Sequence, residues 1–415
     1  TPQVKNFGDT LLTGTVTLQV FLTTDGTIGV NDVPVINRTG LKVTLQPGAA
    51  LTRNESFTLP LDLEPGGYVL VSRVLPGGTP DQDQGNNTSE NPLNLQWRFG
   101  YFGGRQNVPL RLQDDDGTIA TFTAGKDSNG VLTPNMTSGF DLAYLAAGSS
   151  SGGVSAKVSA KGGDGVFDIT NLTITGNTNS FDAKGLRLRG DGLVNNQISK
   201  LILGEVIGPS TLELLSSLRS PELRLGFVQD LAVNSAAGLK LIDVDCWRQV
   251  DVIDSNSLIA PFLVKGVSRC QWQPAMILSS TSGGKSLGSL TVPGEIGGEF
   301  WKTAGRVGTV KAGSVLGTNM NIGGALDSLS TSGNINGATI AAVSIGTLNV
   351  GTILGGIIDS KILAGTSLGF NDQLDSPPGT IDDQFNEGTI KTITVKGEVT
   401  NSIIAAGVNP NAGTY

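Results

Sequence analysis

The sequence predicts an all-β chain: an immunoglobulin-like sandwich over 1–97, a small β linker unit over 98–165, and a parallel β-helix, or β-solenoid, over 166–415. Three observations carry this. Apolar residues recur mostly at every second position, the period of a strand with one buried face. The 415 residues include 58 glycines and only 5% aromatics, which suits many tight turns and thin cores. A short phrase also repeats, as Leu287-Gly-Ser-Leu-Thr-Val-Pro-Gly294, Val307-Gly-Thr-Val-Lys-Ala-Gly313, Leu326-Asp-Ser-Leu-Ser-Thr-Ser-Gly333 and Ile345-Gly-Thr-Leu-Asn-Val-Gly351. Its inner residues Leu290, Val310, Leu329 and Leu348 lie 20, 19 and 19 positions apart. Solenoid turns of about 20 residues have this signature. One coil of this length cannot bury its own apolar face, so coils must stack, and these four residues should form one ladder.

Composition narrows the function. The net charge of −8 and pI near 4.7 argue against a nucleic-acid partner, which calls for a basic face. No run of 18 apolar residues exists, so no membrane span is expected. Histidine is absent, which removes Ser-His-Asp and Cys-His catalysis and His-ligated zinc. No signal peptide is visible, but Thr1 is not an initiator methionine, so the chain reads as a mature or trimmed product.

In the first 97 residues, Val16, Leu18, Val20 and Leu22 alternate with polar residues, as a half-buried strand should. Further strands are expected at Leu41–Leu45, Phe57–Leu61 and Tyr68–Ser72, with turns at Asp25-Gly26 and Pro65-Gly66-Gly67. This punctuation fits a sandwich. Four ordered phrases, Val4-Lys-Asn-Phe-Gly8, Val20-Phe-Leu-Thr-Thr-Asp25, Gly66-Gly-Tyr-Val-Leu70 and Asp83-Gln-Gly-Asn-Asn87, resemble the bacterial cell-adhesion-related (CARDB) domain. That resemblance implies an immunoglobulin-like module of secreted and surface proteins. The family has a strand ahead of its Val-x-Asn-x-Gly phrase and this sequence begins almost at the phrase, which leaves an open edge suited to strand addition.

The linker unit should hold two short strands around the acidic turn Asp114-Asp-Asp-Gly117, then Val154–Ala160 and the lead-in Gly162-Gly-Asp-Gly165. Solenoid phrases then appear at Ile169–Gly176, Ile198–Gly204 and Phe227–Val233, more widely spaced than the later ones, with two degenerate turns around the cysteines. An aperiodic excursion loop is expected over 366–388, after which Ile390–Gly397 restores the coil. The Asp-Asp-Gly-Thr, Gly-Asp-Gly and Leu-x-Val-x-Gly phrases together resemble repeat regions of large secreted surface proteins of planctomycete-type bacteria.

Candidate sites each have a plain structural counterpart. Asp114 and Asp116, with Asp115 between them and Asp127, Asn129 and Gly130 nearby, can supply hard oxygen ligands to calcium, or form a solvated turn. Asp25, Asn31 and Asp32 form a similar loop with the same two readings. Asp243 and Asp245 should point the same way on a strand, with Asp251 and Asp254 near, as an acid and base pair would; an exposed polar face is the alternative. Trp247, Trp272 and Trp301 either stack on sugars or fill the core. Cys246 and Cys270, 24 apart in matching settings, should lie on neighbouring turns, either as a disulfide or as two buried thiols; the extracellular composition favours the disulfide. Five Asn-x-Ser/Thr matches fall in a chain rich in Asn and Thr, and no sugar is assigned to them.

The expectation is therefore a secreted, non-enzymatic, structural or adhesive bacterial surface protein. It would self-associate head to tail, as a filament or surface layer, through the incomplete immunoglobulin-like sheet or an open solenoid end. The alternative is a polysaccharide-binding or polysaccharide-degrading β-helix.

Overall fold

The computed structural model describes residues 3–407 except 31, 61–62, 64–65, 78–84, 86, 96, 136–138, 147–153, 251–255, 299, 353 and 370–382. Among the described residues there is no α-helix, hence none long and apolar enough to cross a membrane. The chain divides into two compact units, Thr1–Trp97 and Arg98–Tyr415.

The first unit holds two antiparallel sheets. Strands Val33–Leu45, Leu12–Thr23, Gly66–Gly77 and Thr88–Leu95 lie in that order in a four-stranded sheet, and Gln3–Lys5 pairs with Ala50–Thr52 in a second. Val16, Leu18, Val20 and Leu22 are all at most 5% exposed, as their alternation requires. Val4 joins Val16, Val43 and Leu45 in one apolar cluster, so the short sheet packs on the long one as an immunoglobulin-like sandwich. Asn6, from the Val4-Lys-Asn-Phe-Gly8 phrase, is buried and its Nδ2 donates to the carbonyls of Thr10 and Leu45. The strand expected at Phe57–Leu61 does not form over 57–60, and Leu61 lies outside the described residues; Pro60 cannot donate to a ladder, and its carbonyl accepts from Leu63 N.

The second unit is a parallel β-solenoid of about 10 turns over 167–364. Each coil contributes a strand to three sheets, here A, B and C. Sheet A carries the ladder Phe181, Leu201, Leu223, Ile242, Gly266, Leu290, Val310, Leu329, Leu348 and Ile393. Leu290, Val310, Leu329 and Leu348 thus stack as their spacing demanded, each no more than 1% exposed. A side chain buried this fully contributes about 1.5–3 kcal/mol. Gly266 is the rung without a side chain, and Leu290 and Trp272 close over the space. The second residue of the repeated phrase is Gly at Gly288, Gly308 and Gly346 because a Cβ there would run into the carbonyl of the coil beneath. Buried hydroxyls satisfy corner carbonyls: Thr331 Oγ1 donates to Gly333 O at 2.9 Å and Ser235 Oγ to Ala237 O at 2.8 Å.

Two expectations need correction. The widely spaced early phrases are not successive coils, because Ile169 lies in sheet B and Ile198 in sheet A. A true coil runs from Phe181 to Leu201, from Leu223 to Ile242, or, where it is longer, from Ile242 to Gly266. The segment 98–165 is not a unit of its own, since it falls within Arg98–Tyr415. Gly139–Ala146 runs parallel to Leu172–Thr175, and Val154–Lys161 parallel to Thr178–Leu188, so both add rungs to sheets C and A. The strands beyond them reverse: Ser128–Asn135 and Ile119–Ala124 pair antiparallel and close the N-terminal end. Rings fill that end, with Phe122 5.6 Å from both Phe99 and Phe167, and Tyr144 5.6 Å from Phe181.

The excursion leaves sheet C at Gly365 and rejoins sheet A at Ile390, which pairs with Ile345 as if the coil were unbroken. Its two ends form a short antiparallel pair, Thr366–Ser367 with Gln384–Phe385. Leu368 covers Ala341 and Leu363 on the outer surface of sheet C. The Asn321 amide donates to Leu368 O and accepts from Leu368 N, pinning the excursion there.

Candidate functional sites

The acidic turn faces the Gly162-Gly-Asp-Gly165 turn, not Asp127 or Asn129. Thr118 N donates to Asp114 Oδ1 at 2.9 Å and to Asp116 Oδ1 at 2.8 Å, and Asp164 N donates to Asp116 Oδ2 at 2.8 Å. Thr118 Oγ1 adds a bond to Gly162 O at 3.2 Å. Gly163 sits at φ +45° against Asp116 and Thr118, where a Cβ would collide with both side chains. Burial, then the neighbouring Asp116, raises the Asp114 carboxyl to about 6. Asp116 is held well below the usual carboxylate range by Asp114 first, then by Thr118 and the Asp164 amide. The pair thus behaves as two carboxyls sharing one site. Its lone pairs serve backbone amides and tie two turns together.

Asp25 and Asp32 act likewise in their own loop. Thr27 N donates to Asp25 Oδ1 at 2.9 Å, and Gly29 N donates to Asp32 Oδ2. The Thr27 backbone bond lowers the Asp25 carboxyl. Asn31 lies outside the described residues. Among the described residues no group of three or more His, Cys, Asp or Glu side chains is arranged to hold a metal ion.

Asp243 and Asp245 do point outward together on Leu241–Arg248, and coils above and below supply their partners. Arg269 Nη1 lies 3.0 Å from Asp243 Oδ1 and 2.8 Å from Asp245 Oδ1, while Arg224 Nη1 is 3.8 Å from Asp243. Arg269 therefore fills the gap in which a glycosidic bond would have to lie between two working carboxylates. Reading the strand alone missed both arginines. Their signal was coil length: Arg224 precedes Asp243 by one short coil, and Arg269 follows Asp245 by the same offset that separates the two cysteines. Asp251 and Asp254 lie outside the described residues.

The same two coils carry the cysteines. Cys246 and Cys270 form a disulfide with Cα atoms 5.1 Å apart, joining neighbouring coils where Trp247 bridges Trp272. Trp247, Trp272 and Trp301 are all fully buried, so they are core residues with no face for a sugar. Trp247 Nε1 donates to Asn256 Oδ1 at 2.6 Å, whereas the Trp272 and Trp301 indole N–H groups have no acceptor.

The last described coil differs from all these. Ile393 and Val399 are 38% and 50% exposed, although the residues they stack on, Leu348 and Ile357, are 1% and 0% exposed. Strands Ile390–Val395, Val399–Thr400 and Ile403–Ala406 each pair on one side only among the described residues. Among the described residues no further strand covers the outer amides and carbonyls of that coil, which lie beside apolar side chains.

No protein-family model, no curated protein and no solved structure matches the chain.

Proposed function

We propose that this is a secreted structural or adhesive surface protein of a bacterium, assembled from copies of itself through the final solenoid coil. The observation that carries the reading is the exposure of Ile393 and Val399 at ladder positions that are sealed in the coil before. Burying them under another strand layer recovers about 25 cal/mol per Å² of apolar surface and gives the edge amides acceptors. A second copy of the same coil fits best, because a two-fold pairing sets one patch against itself. Among the described residues antiparallel strands close the N-terminal end, which favours a joint between two final coils over the head-to-tail stacking suggested by the sequence. The disulfide supports residence in an oxidising compartment. The four cell-adhesion-type phrases of the first unit support surface attachment.

Light scattering on the full chain tests this. A particle of about twice 42.8 kDa is expected, returning to a single chain with Ile393→Asp, whose charge cannot be buried at the joint. A wild-type monomer at micromolar concentration would sink the reading.

A further inference from the structure

On the outer surface of sheet A, three successive coils form a shallow cleft of about 450 Å³. Ser180, Lys200 and Glu222 stand one above another in its floor, paired in register, so their side chains rise at the rung spacing of about 4.8 Å. Lys240 enters from the next coil and binds Glu222 at 2.7 Å, which lowers the Glu222 carboxyl and takes up that cation. Arg219 stands beside them with Nη1 3.4 Å from Ser199 Oγ, and no carboxylate among the described residues pairs with it or with Lys200. A chain of net charge −8 thus carries two uncompensated cations in one groove. The hydroxyl-bearing residues Ser180, Ser199 and Ser220 line the same cleft.

We propose that this cleft binds an anionic sugar chain, carboxylated or sulfated. Lys200 and Arg219 would take the acidic groups as charge-assisted pairs, and the serine hydroxyls would exchange hydrogen bonds with sugar hydroxyls. The lining residues include no aromatic ring on which a base could stack and no Leu, Ile, Val or Met, which disfavours nucleotides and lipids. The lining rises through the coils of Ser180, Lys200 and Glu222 to that of Lys240, a length suited to a short stretch of polymer more than to a lone anion. This inference does not depend on self-assembly, since the cleft lies many coils from Ile393.

Fluorescence anisotropy on the full chain is the test, with labelled oligogalacturonate as the carboxylated probe and a heparin-derived oligosaccharide as the sulfated one. A neutral cello-oligosaccharide and single-stranded DNA are the controls. At least one acidic sugar should bind, more weakly as salt rises, and the stronger of the two names the acidic group. Lys200→Gln and Arg219→Gln should each weaken it roughly tenfold, the loss of one charged hydrogen bond. Lys391→Gln, on the last described coil, should change nothing. Both cleft variants remove outward-facing charges, and an unchanged melting temperature would show that they fold. No binding of either acidic sugar, equal binding of the neutral sugar or of DNA, or full affinity in both folded cleft variants would overturn the proposal.

Discussion

The two ends of the solenoid solve the same problem in opposite ways. At the N-terminal end, Phe99, Phe122 and Phe167 are at most 1% exposed and antiparallel strands close the coil. Arg187 there meets Glu205 at 2.6 Å, Asp168 at 3.1 Å and Asp164 at 3.3 Å, bracing three coils from outside. At the C-terminal end the rungs are aliphatic, and Ile393 and Val399 remain in contact with water. A coil needs a cover because its backbone groups and apolar side chains face along the stack as well as inward. One end builds that cover from its own chain, while the other, among the described residues, presents a surface that a further layer can complete.

The largest effect expected from this contrast is in the cores. Phe122→Ala, at the closed end, should lower stability by about 3–5 kcal/mol in urea unfolding of the second unit. Ile393→Ala, half-wet already, should cost under about 1 kcal/mol in the monomer. Equal losses would break the comparison. Next comes the middle of the stack: replacing Cys246 and Cys270 together by Ala should cost about 2–4 kcal/mol, seen also as a lower unfolding midpoint of wild-type protein under reductant. The tryptophans sharpen the picture further. Trp247→Phe removes the bond to Asn256 and should cost about 1–3 kcal/mol more than Trp301→Phe, whose indole N–H has no acceptor to lose.

The smallest effect is a pH dependence confined to the closed end. Asp114 has its folded carboxyl raised to about 6 from an ordinary 3.8, so the folded chain binds a proton that the unfolded chain does not between those values. Stability from this group therefore grows as pH falls through 6 and levels off below about 4. Asp116 is shifted the other way, and its contribution is lost only below the ordinary carboxylate range. Asp114→Asn keeps an acceptor for Thr118 N and adds a donor toward Asp116. Thermal melting between pH 7 and 5 should show the variant as the more stable at pH 7 and flatter across the window; a wild-type slope retained in the variant would assign the effect elsewhere.

Much of the fold was legible before any coordinates. The short, even repeat put Leu290, Val310, Leu329 and Leu348 in one ladder, and the separation of Cys246 from Cys270 matched one long coil. The excursion was visible as a loss of period after Gly365. Alternation is a local property of extended backbone, and a constant coil length turns neighbours in space into a fixed offset in sequence. What stayed hidden followed from coils of unequal length. The coil from Ile242 to Gly266 is longer than the one from Leu223 to Ile242, and such drift obscured which phrase belonged to which sheet. Ile169 and Ile198 therefore looked like one repeat, although they stand in different sheets.

The same irregularity concealed the partners of polar residues. Arg269 beside Asp243 and Asp245, Asp164 beside Asp116, and Lys200 beside Arg219 are all placed by register between coils. By itself, then, the sequence determined that this chain coils, what lines its axis and where two cysteines can meet, since those depend on alternation and length alone. Only the tertiary structure decided which charges neutralise one another, which stay free, and that one end of the stack is sealed while the other is open among the described residues. Each of these is set by contacts between residues a full coil or more apart along the chain.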